Sequence, residues 1–238
     1  MKKHKWVLAL GFCLAATGCD EDFLTTFPPD RVSDELFWTQ EKDAVLAVNA
    51  LYQLYQDGGT NRTNRVAYQL ESLSDNAWAQ KSFDAWYPVA QGAATPLNGN
   101  IEEFWADSYR SIRRVNEILA HIDEIEEMDE ALKARLIGEA HFHRAFHYMY
   151  LVNLYGDVPL VLEPIDDVGE ASSVSRTAAA TIQQQIYDDF DAAAAALPVE
   201  YPESEYGRAT QGAALAYKAR AALWRNDWET VLSATEAV

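Results

Sequence analysis

The chain has 238 residues and a formal net charge of −18, from 37 acidic and 19 basic side chains. A surface this acidic repels phosphate backbones, so the composition argues against a nucleic-acid partner. The two cysteines, Cys13 and Cys19, both lie near the N-terminus, which excludes a cysteine nucleophile, a cysteine metal site and an internal disulfide in the rest of the chain.

Residues 1–18 have the pattern of a lipoprotein signal peptide. The basic sequence Lys-Lys-His-Lys precedes an apolar stretch, Trp6–Ala16, which is shorter than the roughly 20 apolar residues that span a bilayer. Cys19 follows directly after small residues, so we predict cleavage before it and diacylation of its thiol. Two acyl chains would anchor the protein firmly to a membrane. The alternative is an ordinary signal peptide followed by a chance cysteine.

Residues 19–33 are predicted to form a lipidated tether, since Pro28-Pro29 prevents a helix there. A helical domain is expected over residues 34–238. Its final segment, Trp228–Val238, has an apolar face and no polar cap, whereas stacked repeats end in a polar capping unit. We therefore expect the chain to be the N-terminal portion of a longer protein.

The first helix is expected to start at a cap formed by Ser33 or Asp34 and to run to about Gln56, because its apolar residues recur at three-and-four spacing. Residues 60–99 differ, because Asn, Gly, Ser, Pro and aromatic residues occur there without a sustained period. Long irregular segments inside compact domains are often functional. This segment is therefore the first place to look for a binding site.

Helical periodicity returns after this segment and continues to the end of the chain. The predicted helices run from Asn98 to Glu127, from Asp129 to Tyr155, from a Thr177 cap to Leu197, from a Thr210 cap to about Trp224, and from Trp228 onwards. Gly156 and Pro159 end the second of these, and residues 160–176 are expected to form an extended loop. The predicted fold is all-α.

The last helices have the spacing of tetratricopeptide repeats. The predicted caps Thr177 and Thr210 lie 33 positions apart, close to the period of about 34 residues in such repeats. Ala219 stands where the repeat needs a small residue, and Trp228 stands where it needs an aromatic one. We therefore expect helical hairpins of tetratricopeptide type, joined by long irregular loops, with Trp38, Trp105, Trp224 and Trp228 packed in the core.

Several short motifs, in order along the chain, resemble those of the SusD/RagB family of outer-membrane nutrient-uptake lipoproteins. They are Cys19 with the acidic residues after it, Val48-Asn49-Ala50-Leu51-Tyr52, Arg144-Ala145-Phe146-His147-Tyr148, Leu154-Tyr155-Gly156-Asp157-Val158-Pro159-Leu160 and Gly207-Arg208-Ala209-Thr210. The resemblance extends over essentially the whole chain and corresponds to the N-terminal half of family members.

The resemblance implies a helical protein that sits on the cell surface over a SusC-like TonB-dependent transporter and passes oligosaccharides to it. It implies a binding protein without catalysis or cofactor, anchored to the outer membrane by lipid. Peptide import, as in some members, remains an alternative. So does a helical-repeat adaptor that binds no small molecule, and so does a lipid-anchored glycoside hydrolase.

The expected ligand site lies in residues 60–99, because a sugar site needs flat aromatic faces and planar polar side chains. Asp75, Asn76 and Trp78 supply both kinds of group within a few positions, and Trp86 follows across an irregular loop. Family members place ligand contacts in this region. For each tryptophan the alternative is packing against the helices.

Two further patterns suggest chemistry less strongly. His143 and His147 share a helix face, which two zinc ligands would also do, but the resemblance assigns this helix to packing. Asp166-Asp167 and Asp188-Asp189 are adjacent acid pairs, whereas glycosidase carboxylates face each other across a cleft. We therefore expect no metal and no catalytic pair.

Overall fold

Helices form the regular structure of the chain. The computed structural model describes residues 37–56, 71, 73–77, 86–95, 97–165 and 167–238. Its helices are α1 (Glu41–Gln56), α2 (Tyr87–Ala90), α3 (Gly99–His121), α4 (Glu130–Tyr155), α5 (Val168–Ser173), α6 (Ala179–Ala196), α7 (Gln211–Leu223) and α8 (Trp228–Glu236). Within these ranges the β pairing is a single bridge between Val158 and Thr177. The predicted all-α class is confirmed, whereas the signal peptide, Cys19 and the tether lie outside the described residues.

Three helices begin with a side-chain cap at the residues where the sequence predicts a helix to start. The Asn98 side chain accepts hydrogen bonds from two backbone N–H groups at the start of α3. Asp129 Oδ1 accepts one from the Leu132 N–H at 2.8 Å, at the start of α4. Thr210 Oγ1 does the same for α7, at 3.2 Å from the Ala213 nitrogen. Each cap satisfies donors that the first turn of a helix leaves unpaired.

The start of α1 differs from the prediction. The chain makes a turn at residues 38–40, and α1 begins at Glu41. Asp43 Oδ2 accepts a hydrogen bond from the Gln40 N–H at 3.0 Å, which is half of a capping box. The expected continuous helix through these residues is therefore wrong, and the proposed caps Ser33 and Asp34 lie outside the described residues.

The segment between α4 and α6 also differs from an extended loop. It contains the short helix α5, whose first turn is capped by Asp167. Thr177 does not cap α6, because the N-cap position is taken by Ala178; the Thr177 N–H donates to the Val158 carbonyl at 2.9 Å. The cap comes instead from Asp157, whose Oδ1 accepts a hydrogen bond from the Ala179 N–H at 2.8 Å.

Helix α4 forms the centre of the domain. It contacts α1, α3, α6 and α7, and from Phe142 to Val152 every one of its side chains is buried, as expected for a helix that is covered on all sides. A Cβ added to Gly138 would lie 2.8 Å from the Ala196 Cβ. The glycine therefore permits the close approach of α4 and α6.

Apolar side chains form two clusters along the length of α4. One joins α3 and α4 to α6 and α7 around Phe104, Tyr148 and Phe190. The other joins α1, α3 and the first half of α4 around Leu51 and Leu136. Together they supply the buried apolar area that drives folding of the described helices.

The C-terminal helices form consecutive hairpins, in agreement with the predicted helical-repeat plan. Helix α7 packs against α6 on one side and α8 on the other, and Asn226 takes a φ of 57° in the tight turn between α7 and α8. Ala219 is buried, as the repeat pattern predicts. Trp228 is 62% exposed, so its predicted core position is wrong, because α8 packs chiefly against α7 and leaves this ring outside the contact.

Candidate functional site

Asp75 and Asn76 lie together on one exposed turn, residues 73–77. Ser74 organises the turn, because its hydroxyl donates to the Glu71 carbonyl at 2.8 Å and accepts from the Asn76 N–H at 3.1 Å. The Asn76 Nδ2 donates to Glu71 Oε2 at 3.0 Å. These local bonds hold the Asn76 amide in place and fix the turn that carries the exposed Asp75 carboxylate.

The two tryptophans of the expected site have different positions. Trp78 lies outside the described residues. Trp86 immediately precedes α2 and is 4% exposed, so its ring packs inside the protein in this structure. The neighbouring Tyr87 is half-buried. Of the four expected ligand contacts, the described chain thus brings two together on an exposed turn and gives a third a buried position.

His143 and His147 of α4 are packing residues. Burial lowers the pKa of both His143 and His147 to about 3, with the neighbouring imidazole as a second cause for His143. Both rings are therefore neutral near pH 7, and His143 packs edge-to-face on Tyr52, with 4.5 Å between the ring centroids. In the part of the chain that the structure describes, no group of three His, Cys, Asp or Glu side chains is arranged to hold a metal ion.

Asp188 and Asp189, an adjacent acid pair in the sequence, lie in different environments. Asp189 is 2% exposed and forms a two-bonded ion pair with Arg144, at 2.8 Å to Nε and 2.7 Å to Nη2. Burial alone would raise the pKa of Asp189, but hydrogen bonds from Arg144 and His141 outweigh it and hold that pKa below its usual value. Asp188 is exposed and bonds to Gln184. The two carboxylates do not face each other across a cleft; Asp166 of the other pair lies outside the described residues.

A second ion-pair network has no counterpart in the sequence patterns. Arg208 Nη1 donates to Glu139 Oε2 at 3.0 Å, and Arg135 Nη1 donates to Glu205 Oε2 at 2.6 Å. The partners lie about 70 positions apart in each pair, so no local pattern connects them. The one signal in the sequence is Arg208 itself, which belongs to the Gly-Arg-Ala-Thr motif.

The family model for SusD-like proteins, described as starch-binding and associating with the outer membrane, matches residues 22–223. A SusD-like protein of Formosa agariphila is 28% identical over 252 residues, which cover 98% of this chain and 45% of the relative. A SusD-like protein of Bacteroides ovatus is 24% identical, and the match covers 95% of this chain and 40% of the relative. The chain thus spans less than half the length of these curated relatives.

Solved structures show the same fold. A SusD-like carbohydrate-binding protein of Bacteroides fragilis superposes with a TM-score of 0.74 at 31% identity, over 84% of this chain and 40% of its own. A laminarin-binding SusD-like protein superposes with a TM-score of 0.73 at 25% identity, over 82% of this chain and 42% of its own. Since the family model covers most of the chain and the fold agrees, the chain belongs to the SusD-like family, whose description is starch-binding and outer-membrane association.

Proposed function

We propose that this protein captures a neutral oligosaccharide at the cell surface and delivers it to a SusC-like TonB-dependent transporter, without chemical conversion of the ligand. The observation that carries this function is the SusD-like family match over residues 22–223. The relative that binds laminarin supports a glucan as the class of ligand.

The ligand contacts belong to the segment that includes the 73–77 turn. Asp75 accepts hydrogen bonds from sugar hydroxyls, and Asn76 both donates and accepts them, because an amide carries both functions. Trp78 stacks on the apolar face of a sugar ring. Trp86, at 4% exposure, supports the segment by packing. The carboxylate and the amide at the surface of one turn are the geometric support for this site.

The membrane link is a lipid on Cys19. Among the described residues, none of the helices combines the length and the apolar character needed to cross a bilayer. A diacylated Cys19 would hold the protein at the outer membrane, and the tether over residues 19–33 would give it the reach to cover the transporter.

Affinity electrophoresis tests this function directly. The chain that starts after Cys19 is run through native gels containing laminarin or starch, beside Asp75→Ala, Asn76→Ala, Trp78→Ala and Trp86→Ala variants. Asp188→Ala is the matched control, since this exposed carboxylate lies on α6. We expect at least one glucan to retard the wild type and the control, and we expect it to retard Asn76→Ala and Trp78→Ala clearly less.

Circular dichroism on the same samples shows whether each variant is folded. Unretarded migration of the folded wild type in every gel would contradict glycan capture and would favour the peptide-importing or adaptor alternative. Release of reducing sugar from either glucan would contradict the absence of catalysis.

A further inference from the structure

A polar cleft of about 290 Å³ opens between α1 and the turn that precedes α7. Asn49 and Tyr52 of α1 form one wall, and residues 204–208 form the other. None of these residues belongs to the proposed ligand segment around the 73–77 turn. The cleft is therefore a separate concave surface of the described chain.

The polar groups of the cleft are held in place by partners behind them. Arg208 has 15% of its side chain exposed and donates to Glu139 Oε2 at 3.0 Å and to Asn49 Oδ1 at 2.8 Å. Glu205 Oε2 accepts from Arg135 Nη1 at 2.6 Å. A ligand would therefore meet fixed hydrogen-bonding groups and would not have to order flexible side chains, which lowers the entropic cost of binding.

The charges at the cleft cancel. Arg135 and Arg208 oppose Glu139 and Glu205 in one connected network, so the cleft is locally neutral in a chain whose net charge is −18. Glu205 and Arg208 both line the cleft, so neither an anionic nor a cationic ligand gains a net electrostatic attraction there. A neutral ligand with many hydroxyl groups can use each charged group as a strong hydrogen-bond partner.

An aromatic ring stands at the edge of the same cleft. Tyr206 is 69% exposed, so its ring is accessible to a ligand. Gly207 follows it with a φ of 100°, a backbone conformation that favours glycine, and this turn places Tyr206 and Arg208 on the lining of one cleft. A flat ring beside planar polar groups is the combination that a sugar needs.

We propose that this cleft is a second binding site for a neutral saccharide, with a sugar ring on Tyr206 and its hydroxyls bonded to Asn49, Glu205 and Arg208. The site rests on the glycan capture proposed above and adds a second contact for the same class of ligand. Two contacts with one polymer raise the overall affinity, because the second binding event becomes intramolecular.

The test uses the chain that starts after Cys19 and laminarin as the probe. Tyr206→Ala removes the ring, Tyr206→Phe keeps it, and Trp228→Ala is the control, because Trp228 is a comparably exposed ring outside the cleft. We expect Tyr206→Ala to weaken laminarin binding about threefold to tenfold. Tyr206→Phe and Trp228→Ala should bind within about twofold of the wild type.

Nitration of Tyr206 by tetranitromethane, mapped by mass spectrometry, gives a readout at the cleft itself. Laminarihexaose should protect Tyr206 from nitration in the wild type and also in Asn76→Ala, in which the first site is impaired. Unchanged nitration with saturating saccharide, or equal laminarin binding by Tyr206→Ala and Trp228→Ala, would overturn the second site and leave glycan capture intact. Weakened laminarin binding by Asn76→Ala, together with full protection of its Tyr206 at saturating laminarihexaose, would support two independent sites.

Failure of the two proposals would be distinguishable. If the folded wild type binds neither laminarin nor starch and Tyr206 is not protected by laminarihexaose, both glycan capture and the second site are overturned. If Tyr206 is protected although the gels show no retardation, the second site stands, and glycan capture through the 73–77 turn is contradicted.

Discussion

Single side chains decide much of the stability of this domain, because several charges are buried in it. Arg144 and Asp189 are 5% and 2% exposed, and they join α4 to α6 through two hydrogen bonds. Arg144 also donates to Asn116 Oδ1 on α3, at 3.2 Å. A buried pair of this kind contributes little net energy when it is intact, but removing one member leaves the other charge without compensation.

We therefore expect Asp189→Ala to lower the free energy of unfolding by about 3–5 kcal/mol. The matched control is Asp188→Ala, which removes an exposed carboxylate one position earlier and should change the free energy by no more than about 0.5 kcal/mol. Urea unfolding followed by circular dichroism measures both. Similar unfolding midpoints for the two variants would show that the ion pair is not a determinant of stability.

The candidate site shows at the residue scale what a sequence can and cannot predict. The exposed positions of Asp75 and Asn76 agree with the turn-forming composition around them. The burial of Trp86 does not follow from the sequence, because composition does not say whether a loop tryptophan packs inward or faces solvent. Arg208 is recognisable only as part of a motif, since its partner Glu139 lies 69 positions away.

At the scale of helices, the turn at residues 156–159 has two roles. It ends α4, and it also caps the next long helix. Asp157 follows Gly156, and its side chain accepts a hydrogen bond from the Ala179 N–H across 22 positions. The N-cap residue of α6 itself, Ala178, has no side-chain acceptor. The turn after α4 therefore caps the next long helix and fixes the return of the chain along α4.

Asp157→Ala should destabilise the domain by about 1 kcal/mol, the usual cost of removing a helix cap. Asp157→Asn keeps an oxygen in the accepting position and should retain most of that stability. Thermal unfolding by circular dichroism compares the two variants with the wild type. Equal losses in both would indicate that the charge of Asp157, and not the cap, is the stabilising feature.

Some helix boundaries are set by interactions between neighbouring residues, and others by residues that are distant in the sequence. Asn98, Asp129 and Thr210 cap helices through bonds within three residues, so their roles can be predicted from the sequence. The start of α6 depends on the distant Asp157, whereas the local pattern predicts Thr177 as the cap. Similarly, the apolar residues keep helical spacing through residues 38–40. The spacing therefore predicts one continuous first helix and gives no sign of the turn that the structure has there.

At the scale of the whole molecule, the net charge of −18 separates the competing functions. A neutral glycan has no charge to interact with the acidic surface, whereas a cationic peptide would be attracted to it over distances comparable to the Debye length. That length shortens from about 10 Å at 0.1 M salt to about 3 Å at 1 M. Salt therefore weakens a charged interaction and leaves a neutral one nearly unchanged.

Laminarin binding should accordingly change by less than about twofold between about 0.05 M and 0.5 M sodium chloride, because laminarin carries no charge whose attraction salt could screen. A lysine-rich peptide of unrelated sequence is the control, and any binding of it to the acidic chain should fall steeply over the same range. Isothermal titration calorimetry on the same protein sample measures both ligands. A steep salt dependence for laminarin would contradict a neutral sugar site, and tight, salt-resistant binding of peptides would favour the peptide-importing alternative.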